Sequence, residues 1–227
     1  MNQRKNTDLL ENKYRTYKKF KDMYKREVIR ILKNEKPTEE NLAKLREFAE
    51  RHENYVVKPV YAAFGNGVRV ENLGMYDSVE EAHQEYSKSG AVIEEVIVQG
   101  EALSKIHAGS VNTLRIPTAI IKNEEGEPEI KLFHPSIRMG RGDSFVDNFS
   151  AGGVSALIDA ETGVIYTDGA DKKGHTYECH PDSGIRVKGF QIPKWDEAVL
   201  YGQRSSYDDP GQSLLRMGSG LQQSTTA

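Results

Sequence analysis

The chain contains 227 residues, of which 37% are hydrophobic and 29% charged, and its formal net charge is −3 at pH 7. This small acidic surplus argues against a general nucleic-acid-binding protein, which usually carries excess basic charge. No apolar run approaches the roughly 18 residues of a transmembrane helix, and the polar segment Met1–Asn6 does not resemble a signal peptide. The single cysteine, Cys179, excludes an internal disulfide and is consistent with a reducing compartment. Together these features predict a cytoplasmic protein.

Three helices are predicted in the first part of the chain. Apolar residues recur every three or four positions between residues 9 and 33, which predicts one helical face: Leu10, Tyr14, Tyr17, Phe20, Tyr24, Val28 and Ile31. The basic residues between them, including Arg26, are interpreted as a solvated face. Thr38 is followed by two glutamates and predicts the start of a second helix. Ser78 opens a capping box and predicts a third helix at 78–88.

A strand at residues 55–60 delivers Lys58 to a loop that contains Gly65 and Gly67. A lysine beside glycines suits a phosphate group, because glycine lets backbone N–H groups approach closely. The pattern lacks the third glycine of the dinucleotide fingerprint and the Gly-Lys-Ser/Thr ending of a P-loop. A plain β-turn after a buried strand is therefore the alternative.

The remaining elements divide the chain near Gln99-Gly100. Before this point, strands are predicted at 68–71 and 91–98; after it, short β-rich runs alternate with turns. Hairpins are predicted from 112–121 with 129–138 and from 154–158 with 164–167. The predicted organisation is N-terminal helices in 1–54, a lysine and glycine-loop lobe in 55–99, an antiparallel lobe in 100–200 and a disordered or artefactual tail in 201–227.

Cys179 has neighbours that bind metals in other proteins, namely Glu178, His175 and His180. One thiol and two histidines are too few for a zinc motif, so an ordinary surface hairpin is preferred here. Further on, Trp195 is followed by acidic residues, which predicts the start of another helix.

The order of Lys58-Pro59, a glycine loop and a strand that ends in Glu94-Glu95 resembles the ATP-grasp superfamily. Three later segments are similar to its sugar-transfer-associated branch: Ser110–Ile116, Ile137–Gly140 and Val146–Gly153. The resemblance implies an α+β ATP-grasp fold, with a small helix-rich lobe, a larger antiparallel β-rich lobe and a nucleotide cleft between them. It also implies a chain that is incomplete at both ends, since the family's Gly-Trp-Asp and Glu-x-Asn stretches are missing.

The resemblance implies a phosphate site around two lysines. Lys13 and Lys58 would contact the phosphates of ATP, and the loop with Gly65 and Gly67 would close over them. The alternative for Lys58 is a strand lysine that extends to solvent.

The resemblance also places the rest of the nucleotide. The backbone from Glu94 to Ile97, which includes Glu95, would meet adenine, with Val57 and Ile97 as apolar walls. Glu101 would accept hydrogen bonds from the two ribose hydroxyls. The alternative is that all three glutamates are exposed charges near a strand end.

Arg115 and Arg138 each lie in an otherwise apolar β-run, and a buried guanidinium needs anionic partners. The resemblance implies that both stabilise the transferring phosphoryl group and an acyl-phosphate intermediate, and that Asn148 reaches a phosphate or a metal. The alternative is a structural ion pair with Asp147 or Asp143.

The implied reaction is ATP-dependent ligation of a carboxylate to an amine through an acyl phosphate, in the synthesis of surface polysaccharide. The acceptor would be an unidentified small molecule or sugar-linked compound. Mg²⁺ is expected from the family, and no residue is assigned as its ligand. Two alternatives stay open: a non-catalytic nucleotide-binding or scaffold fragment, and a sugar kinase of related fold.

Overall fold

The computed structural model describes residues 11–62, 66–144 and 147–208. The chain divides into two compact units: the first holds the described residues up to Ile97, and the second holds those from Val98 onward. Both units mix helices with antiparallel strands, which confirms the predicted α+β class. In these described ranges, no helix is both long and apolar enough to cross a lipid bilayer.

The first unit contains four strands and three α-helices. The strands are β1 (Val28–Ile31), β2 (Tyr55–Pro59), β3 (Arg69–Glu71) and β4 (Ala91–Glu95). They form one antiparallel sheet in the order β1-β4-β2-β3, so β4 lies between β1 and β2. The helices are α1 (Lys13–Lys19), α2 (Glu39–Arg51) and α3 (Val79–Ser87), with 3₁₀ turns at Lys21–Met23 and Leu73–Met75.

Side chains alternate along these strands, so each face of the sheet buries its own apolar cluster. The larger cluster includes side chains of α2 and α3 and contains Ile31, Leu45, Phe48, Tyr55, Val57, Ala82, Tyr86, Ala91 and Ile93. The smaller contains Val28, Val60 and Val92, against which Tyr14, Tyr17 and Tyr24 pack. Phe48 is fully buried, and burial of one such side chain contributes about 1.5–3 kcal/mol.

The predicted starts of α2 and α3 are confirmed. The Thr38 hydroxyl accepts the backbone N–H of Asn41, whose side chain accepts the N–H of Thr38 in return. In α3 the Ser78 hydroxyl accepts the N–H of Glu81 at 3.1 Å. The Glu81 carboxylate accepts from Asp77 at 2.8 Å rather than from Ser78, so the capping box is displaced by one residue.

The prediction of one helix from residue 9 to 33 is wrong in its second half. α1 ends at Lys19, and residues Val28–Ile31 form strand β1. The cause is that a strand buried on both faces also places Val28 and Ile31 among apolar neighbours, and β-branched residues favour the extended form. Residues 9 and 10 lie outside the described residues.

The second unit contains seven strands and two α-helices. The strands are β5 (Thr113–Arg115), β6 (Thr118–Lys122), β7 (Pro128–Leu132), β8 (Ser136–Met139), β9 (Val154–Leu157), β10 (Gly169–Ala170) and β11 (Thr176–Tyr177). Five of them form a sheet in the order β11-β10-β9-β8-β5, while β6 pairs with β7. The helices are α4 (Glu101–Ile106) and α5 (Trp195–Asp208), and Phe149–Ala151 is a 3₁₀ turn.

The antiparallel pairings predicted in this unit are confirmed, with one difference. Each strand of the first predicted hairpin is split in two, so that β5 pairs with β8 and β6 with β7. Pro117 and Pro135 lie at the two breaks, where a residue without an N–H cannot extend a ladder. The second hairpin closes where the backbone N–H of Asp159 donates to the carbonyl of Val164 at 2.8 Å.

Helix α5 corrects the first part of the predicted disordered tail, residues 201–208. The helix begins as predicted at Trp195, whose indole N–H donates to the Ala160 carbonyl at 3.0 Å, and continues to Asp208. Because Trp195 and Ala198 are anchored in the core, each further residue gains a hydrogen bond at low cost. Residues 209–227 lie outside the described residues.

Candidate functional site

A buried carboxylate, Glu94, lies on the central strand β4 and is contacted by cations from both neighbouring sides. Lys58 Nζ on β2 lies 2.6 Å from Glu94 Oε2, and Arg26 Nε, two residues before β1, lies 2.9 Å from the same oxygen. Val56 is directly opposite Glu94 in the ladder, so Lys58 is its diagonal neighbour on the same face. Only 4% of Glu94 is exposed.

Lys13 joins this group through the backbone that follows Lys58. It is the first residue of α1, where Asn12 caps the helix by accepting from Arg15. Its ammonium donates to the carbonyls of Pro59 at 2.9 Å and Ala62 at 2.6 Å. Burial lowers the pKa of Lys13 and the charge of Lys58 lowers it further, while Glu94 opposes both. The predicted phosphate lysines are therefore electrostatic neighbours.

We call Lys13, Arg26, Lys58 and Glu94 the Glu94 cluster. Burial alone would raise the pKa of Glu94, but the charges and hydrogen bonds of Lys58 and Arg26 outweigh burial and hold the pKa below its ordinary value. Glu94 is therefore ionised at neutral pH. Within the cluster, three cations face one anion, and this surplus of positive charge suits an anionic ligand.

Of the glycine loop, the structure describes the C-terminal end, residues 66 and 67. Gly67 has a φ of +69°, and a Cβ on it would lie 2.8 Å from the Pro59 ring, so a larger residue would disturb the backbone beside Lys58. Gly65 lies outside the described residues, as does Phe64.

Of the residues assigned to adenine and ribose, Glu94 belongs to the Glu94 cluster, whereas Glu95, Ile97 and Glu101 do not. Glu95 accepts a hydrogen bond from the backbone of Glu27 at 2.9 Å. Ile97 follows β4 and is half-buried. Glu101 is exposed in the first turn of α4 and pairs with Lys105 at 2.8 Å, a position where a carboxylate also favours the helix N-terminus.

The second unit has its own carboxylate between arginines. Thr113 is directly opposite Arg138 in the β5–β8 ladder, and its hydroxyl donates to Asp147. Burial raises the pKa of Asp147, although the Thr113 hydrogen bond and the charges of Arg115 and Arg138 act in the other direction. We call these four residues the Asp147 cluster. The structure thus brings both predicted catalytic arginines to one acid.

Asn148 follows Asp147 directly and precedes the 3₁₀ turn. Its backbone carbonyl accepts the N–H of Gly153 at 3.2 Å. A Cβ on Gly153 would lie 2.8 Å from the Asp147 carbonyl, so the close turn requires glycine. This turn fixes Asn148 beside the Asp147 cluster.

A cavity of about 550 Å³ adjoins the same turn. Its lining includes Phe149 and three cationic side chains, Arg141, Lys172 and Lys173, with one carboxylate, that of Asp171, 3.7 Å from Arg141. Surplus positive charge in a concave surface favours an anionic ligand. The sequence contained no periodic signal for this cavity, because its residues come from separate loops.

Among the described residues, one group of side chains could hold a metal ion. In those residues, the group of His, Cys, Asp and Glu ligand atoms that converges within 4.8 Å consists of His107, His180 and Asp182. Two imidazoles are poor ligands for Mg²⁺, which prefers oxygen. The predicted hairpin at Cys179 is present, with Cys179 exposed and paired to Arg186, whereas His180 is buried.

Comparison with known proteins connects this geometry to a family. The family model described as sugar-transfer associated ATP-grasp matches residues 1–205. A search of curated proteins found no match.

Three solved structures illustrate the similarity. D-alanyl-alanine synthetase A from Vibrio cholerae O1 biovar eltor str. N16961 is 9% identical with a TM-score of 0.38, over 94% of this chain and 63% of that chain. The D-alanine-D-alanine ligase from Coxiella burnetii is 11% identical with a TM-score of 0.37, over 84% and 52%. N5-carboxyaminoimidazole synthetase from Staphylococcus aureus, complexed with ADP, is 14% identical with a TM-score of 0.38, over 82% and 53%. The chain spans less than two thirds of each of these proteins, and similarity at this level says nothing about its reaction.

Proposed function

This chain belongs to the sugar-transfer-associated ATP-grasp family, and we propose that its Glu94 cluster binds the phosphates of ATP. The observation that supports this proposal is the charge surplus: Lys58 and Arg26 contact the Glu94 carboxylate, and Lys13 interacts electrostatically with Lys58 and Glu94. A partly desolvated group of cations gains more from a polyanion than the same cations gain in water.

The two lysines have different tasks in this proposal. Glu94 holds the Lys58 ammonium at 2.6 Å and so fixes a point charge for the phosphates. The Lys13 ammonium has three N–H donors, and the Pro59 and Ala62 carbonyls accept two of them. The third donor is proposed to bind a phosphate oxygen, and the two carbonyl contacts position it.

The reaction we propose is ATP-dependent ligation of a carboxylate to an amine. The γ-phosphoryl group moves to the carboxylate and ADP leaves; the amine then attacks the acyl phosphate and inorganic phosphate leaves. Arg115 and Arg138 are proposed to stabilise negative charge on the phosphoryl group, and Asn148 to position it. Mg²⁺ supplied with the nucleotide would neutralise phosphate charge.

The cavity beside Asn148 is our candidate for the acceptor site. Its cations Arg141, Lys172 and Lys173 favour an acceptor with a carboxylate or phosphate group. A sugar-linked acid in the synthesis of surface polysaccharide, made in the cytoplasm, satisfies this requirement.

The first test is the thermal unfolding of the full chain with ATP, in the presence and absence of Mg²⁺. ATP at a hundredfold excess over Kd should add about 2.7 kcal/mol of stability, which corresponds to a melting shift of roughly 5–10 °C. At the same ATP concentration, we expect Lys58→Ala to lose at least about half of this shift. The matched control is Lys44→Ala, which removes a lysine of the same unit whose side chain is 63% exposed and should keep the full shift.

A cooperative melt without any ATP shift in the unmodified chain would contradict the phosphate site. If ATP binds, the products distinguish the reactions. A ligase releases ADP and phosphate only when an acid and an amine are both present, a kinase phosphorylates one acceptor, and a scaffold does neither.

A further inference from the structure

Three segments of the second unit meet at a pair of buried imidazoles that the proposed ATP reaction does not use. His107 is the residue that ends α4, and His180 lies beyond β11. The centroids of the two imidazole rings are 5.6 Å apart. Asp182, two residues after His180, accepts the backbone N–H of Gly142 at 2.7 Å and lies 3.4 Å from His107 Nδ1. Residues distant in the sequence thus present two nitrogens and one carboxylate oxygen together.

The tautomer of His180 is fixed by a carbonyl. Its Nε2 lies 2.8 Å from the carbonyl oxygen of Gly140, which can only accept, so Nε2 carries the proton. Nδ1 therefore has a lone pair. The N–H of Asp182 is 3.4 Å from Nδ1, longer than a normal hydrogen bond. A histidine that donates one nitrogen to a carbonyl and keeps the other unprotonated is the arrangement commonly found at metal ligands.

His107 supplies a second and independent observation. Its side chain is 7% exposed, and its Nε2 atom is buried without a hydrogen-bond partner among the described residues. The hydroxyl oxygen of Ser110 is also buried without a hydrogen-bond partner among these residues. A buried polar atom without a hydrogen-bond partner destabilises the fold. Coordination through Nδ1 would place the ring proton on Nε2, which like the Ser110 oxygen lies close to Gly140.

Gly140 keeps this arrangement open. A Cβ at this position would lie 2.0 Å from the Ser110 oxygen and 2.9 Å from His107 Nε2. Both atoms therefore lie against the backbone whose carbonyl holds His180. The absence of a side chain at Gly140 lets the two imidazoles and Ser110 share one small space.

We propose that His107, His180 and Asp182 bind a divalent transition-metal ion, with Zn²⁺ as the preferred ion. In a tetrahedral zinc site with bonds of about 2.0–2.1 Å, neighbouring ligand atoms are roughly 3.4 Å apart. The His107–Asp182 pair has that separation, at 3.4 Å, and all three ligand atoms lie within 4.8 Å of one another.

The chemistry of the ligands selects the ion. Two imidazoles and a carboxylate suit Zn²⁺ and its transition-metal neighbours, whereas Mg²⁺ and Ca²⁺ prefer oxygen alone. The Asp182 side chain is 36% exposed, so a water molecule can occupy the fourth position. The ion would hold together the end of α4, the loop after β8 and the turn at residues 180–184. Its binding does not depend on the Glu94 cluster.

The experiment measures Zn²⁺ binding to the full chain, produced without a polyhistidine tag and freed of metal with a chelator. Calorimetry should give one site with a Kd below about 10 μM, and Zn²⁺ at a hundredfold excess over Kd should raise the melting temperature by roughly 5–10 °C. Mg²⁺ at the same concentration should leave the melting temperature unchanged.

Two ligand variants and one control variant locate the site. Asp182→Asn is the mild ligand change, because the amide oxygen still accepts the Gly142 N–H, and we expect Zn²⁺ affinity to fall at least tenfold. His180→Ala should abolish binding. The control is the double variant His175→Ala with Cys179→Ser, which removes the exposed residues that a sequence motif would select, and it should bind Zn²⁺ within about twofold of the parent.

The proposal is overturned if the parent chain binds Zn²⁺ with a Kd above about 100 μM, or if the double variant loses binding while Asp182→Asn retains it. Since Asp182 is on the surface, circular dichroism of Asp182→Asn without metal should match the parent. Loss of affinity in that folded variant then reports the ligand rather than the fold.

Discussion

Two carboxylates of this protein are surrounded by cations, and yet their pKa values move in opposite directions. Glu94, with Lys58 and Arg26, has a pKa below the ordinary value. Asp147, with Arg115 and Arg138, has a pKa above the ordinary value. Both acids lose hydration through burial, so the difference in their pKa values lies in whether the cations contact the carboxylate directly.

Direct contact explains the difference. Glu94 receives charged hydrogen bonds at 2.6 and 2.9 Å, and these exceed the cost of burial. The hydrogen bond to Asp147 comes from the neutral hydroxyl of Thr113, and the charges of the arginines do not balance burial. Glu94 is thus an anion that holds Lys58 and Arg26 in place. Asp147 neutralises the charge of Arg115 and Arg138 less completely, so these arginines can attract an anionic ligand more strongly.

The largest effect is expected for Glu94→Gln. It leaves Lys58 and Arg26 partly buried without their counter-ion, and breaking a buried pair in this way costs about 3–5 kcal/mol. Urea unfolding at pH 7 measures the change. Because the pKa of Glu94 is lowered on folding, its contribution is present above the ordinary glutamate pKa and disappears as the pH falls through the folded value. The deficit of the variant should therefore shrink in acid.

The control for this change is Glu40→Gln. Glu40 pairs with Lys44 on the surface, where the Glu40 side chain is 79% exposed, and its removal should leave the urea midpoint within experimental error. Equal midpoints for the two variants would show that Glu94 is not a structural anion.

The second prediction separates the two clusters by ligand. Lys58→Ala should weaken ATP binding at least tenfold, or about 1.4 kcal/mol. Arg138→Ala should change the Kd for ATP less than threefold, because its proposed contact forms with the phosphoryl group in transfer. Calorimetry with ATP and no acceptor measures both. A loss in Arg138→Ala as large as that in Lys58→Ala would place Arg138 in ground-state binding.

The sequence predicted the elements that carry strong local signals. Thr38 and Ser78 fixed the starts of two helices, and turn residues such as Gly163 marked a hairpin. The family prediction rested on Lys58, the Glu94-Glu95 strand and the three short segments at 110–116, 137–140 and 146–153, and the match over residues 1–205 confirms it. These features depend on residues close in sequence, where capping and turn chemistry are decided.

Long-range partners could not be predicted from the sequence. Arg26 looks like one of many basic residues on a helix, and its contact with Glu94 depends on the pairing of β1 with β4. His180 and Asp182 are close in the sequence, but His107, the third residue of their group, lies 73 positions earlier. The spacing at Val28 fits either a helix or a strand, and the sheet decided between them.

The smallest effect, and the sharpest test of the comparison, is expected for Asp147→Asn. The asparagine still accepts the Thr113 hydroxyl and removes a charge that the folded state disfavours, so stability at pH 7 should stay equal or rise by less than about 1 kcal/mol. The raised pKa means that the contribution of Asp147 is full below the ordinary aspartate pKa and is lost as the pH rises through the folded value. The urea midpoint of the parent should therefore rise relative to that of the variant as the pH falls from 7 to 4. A destabilisation at pH 7 as large as that of Glu94→Gln would instead make Asp147 a direct ion-pair partner, and the contrast between the two acids would disappear.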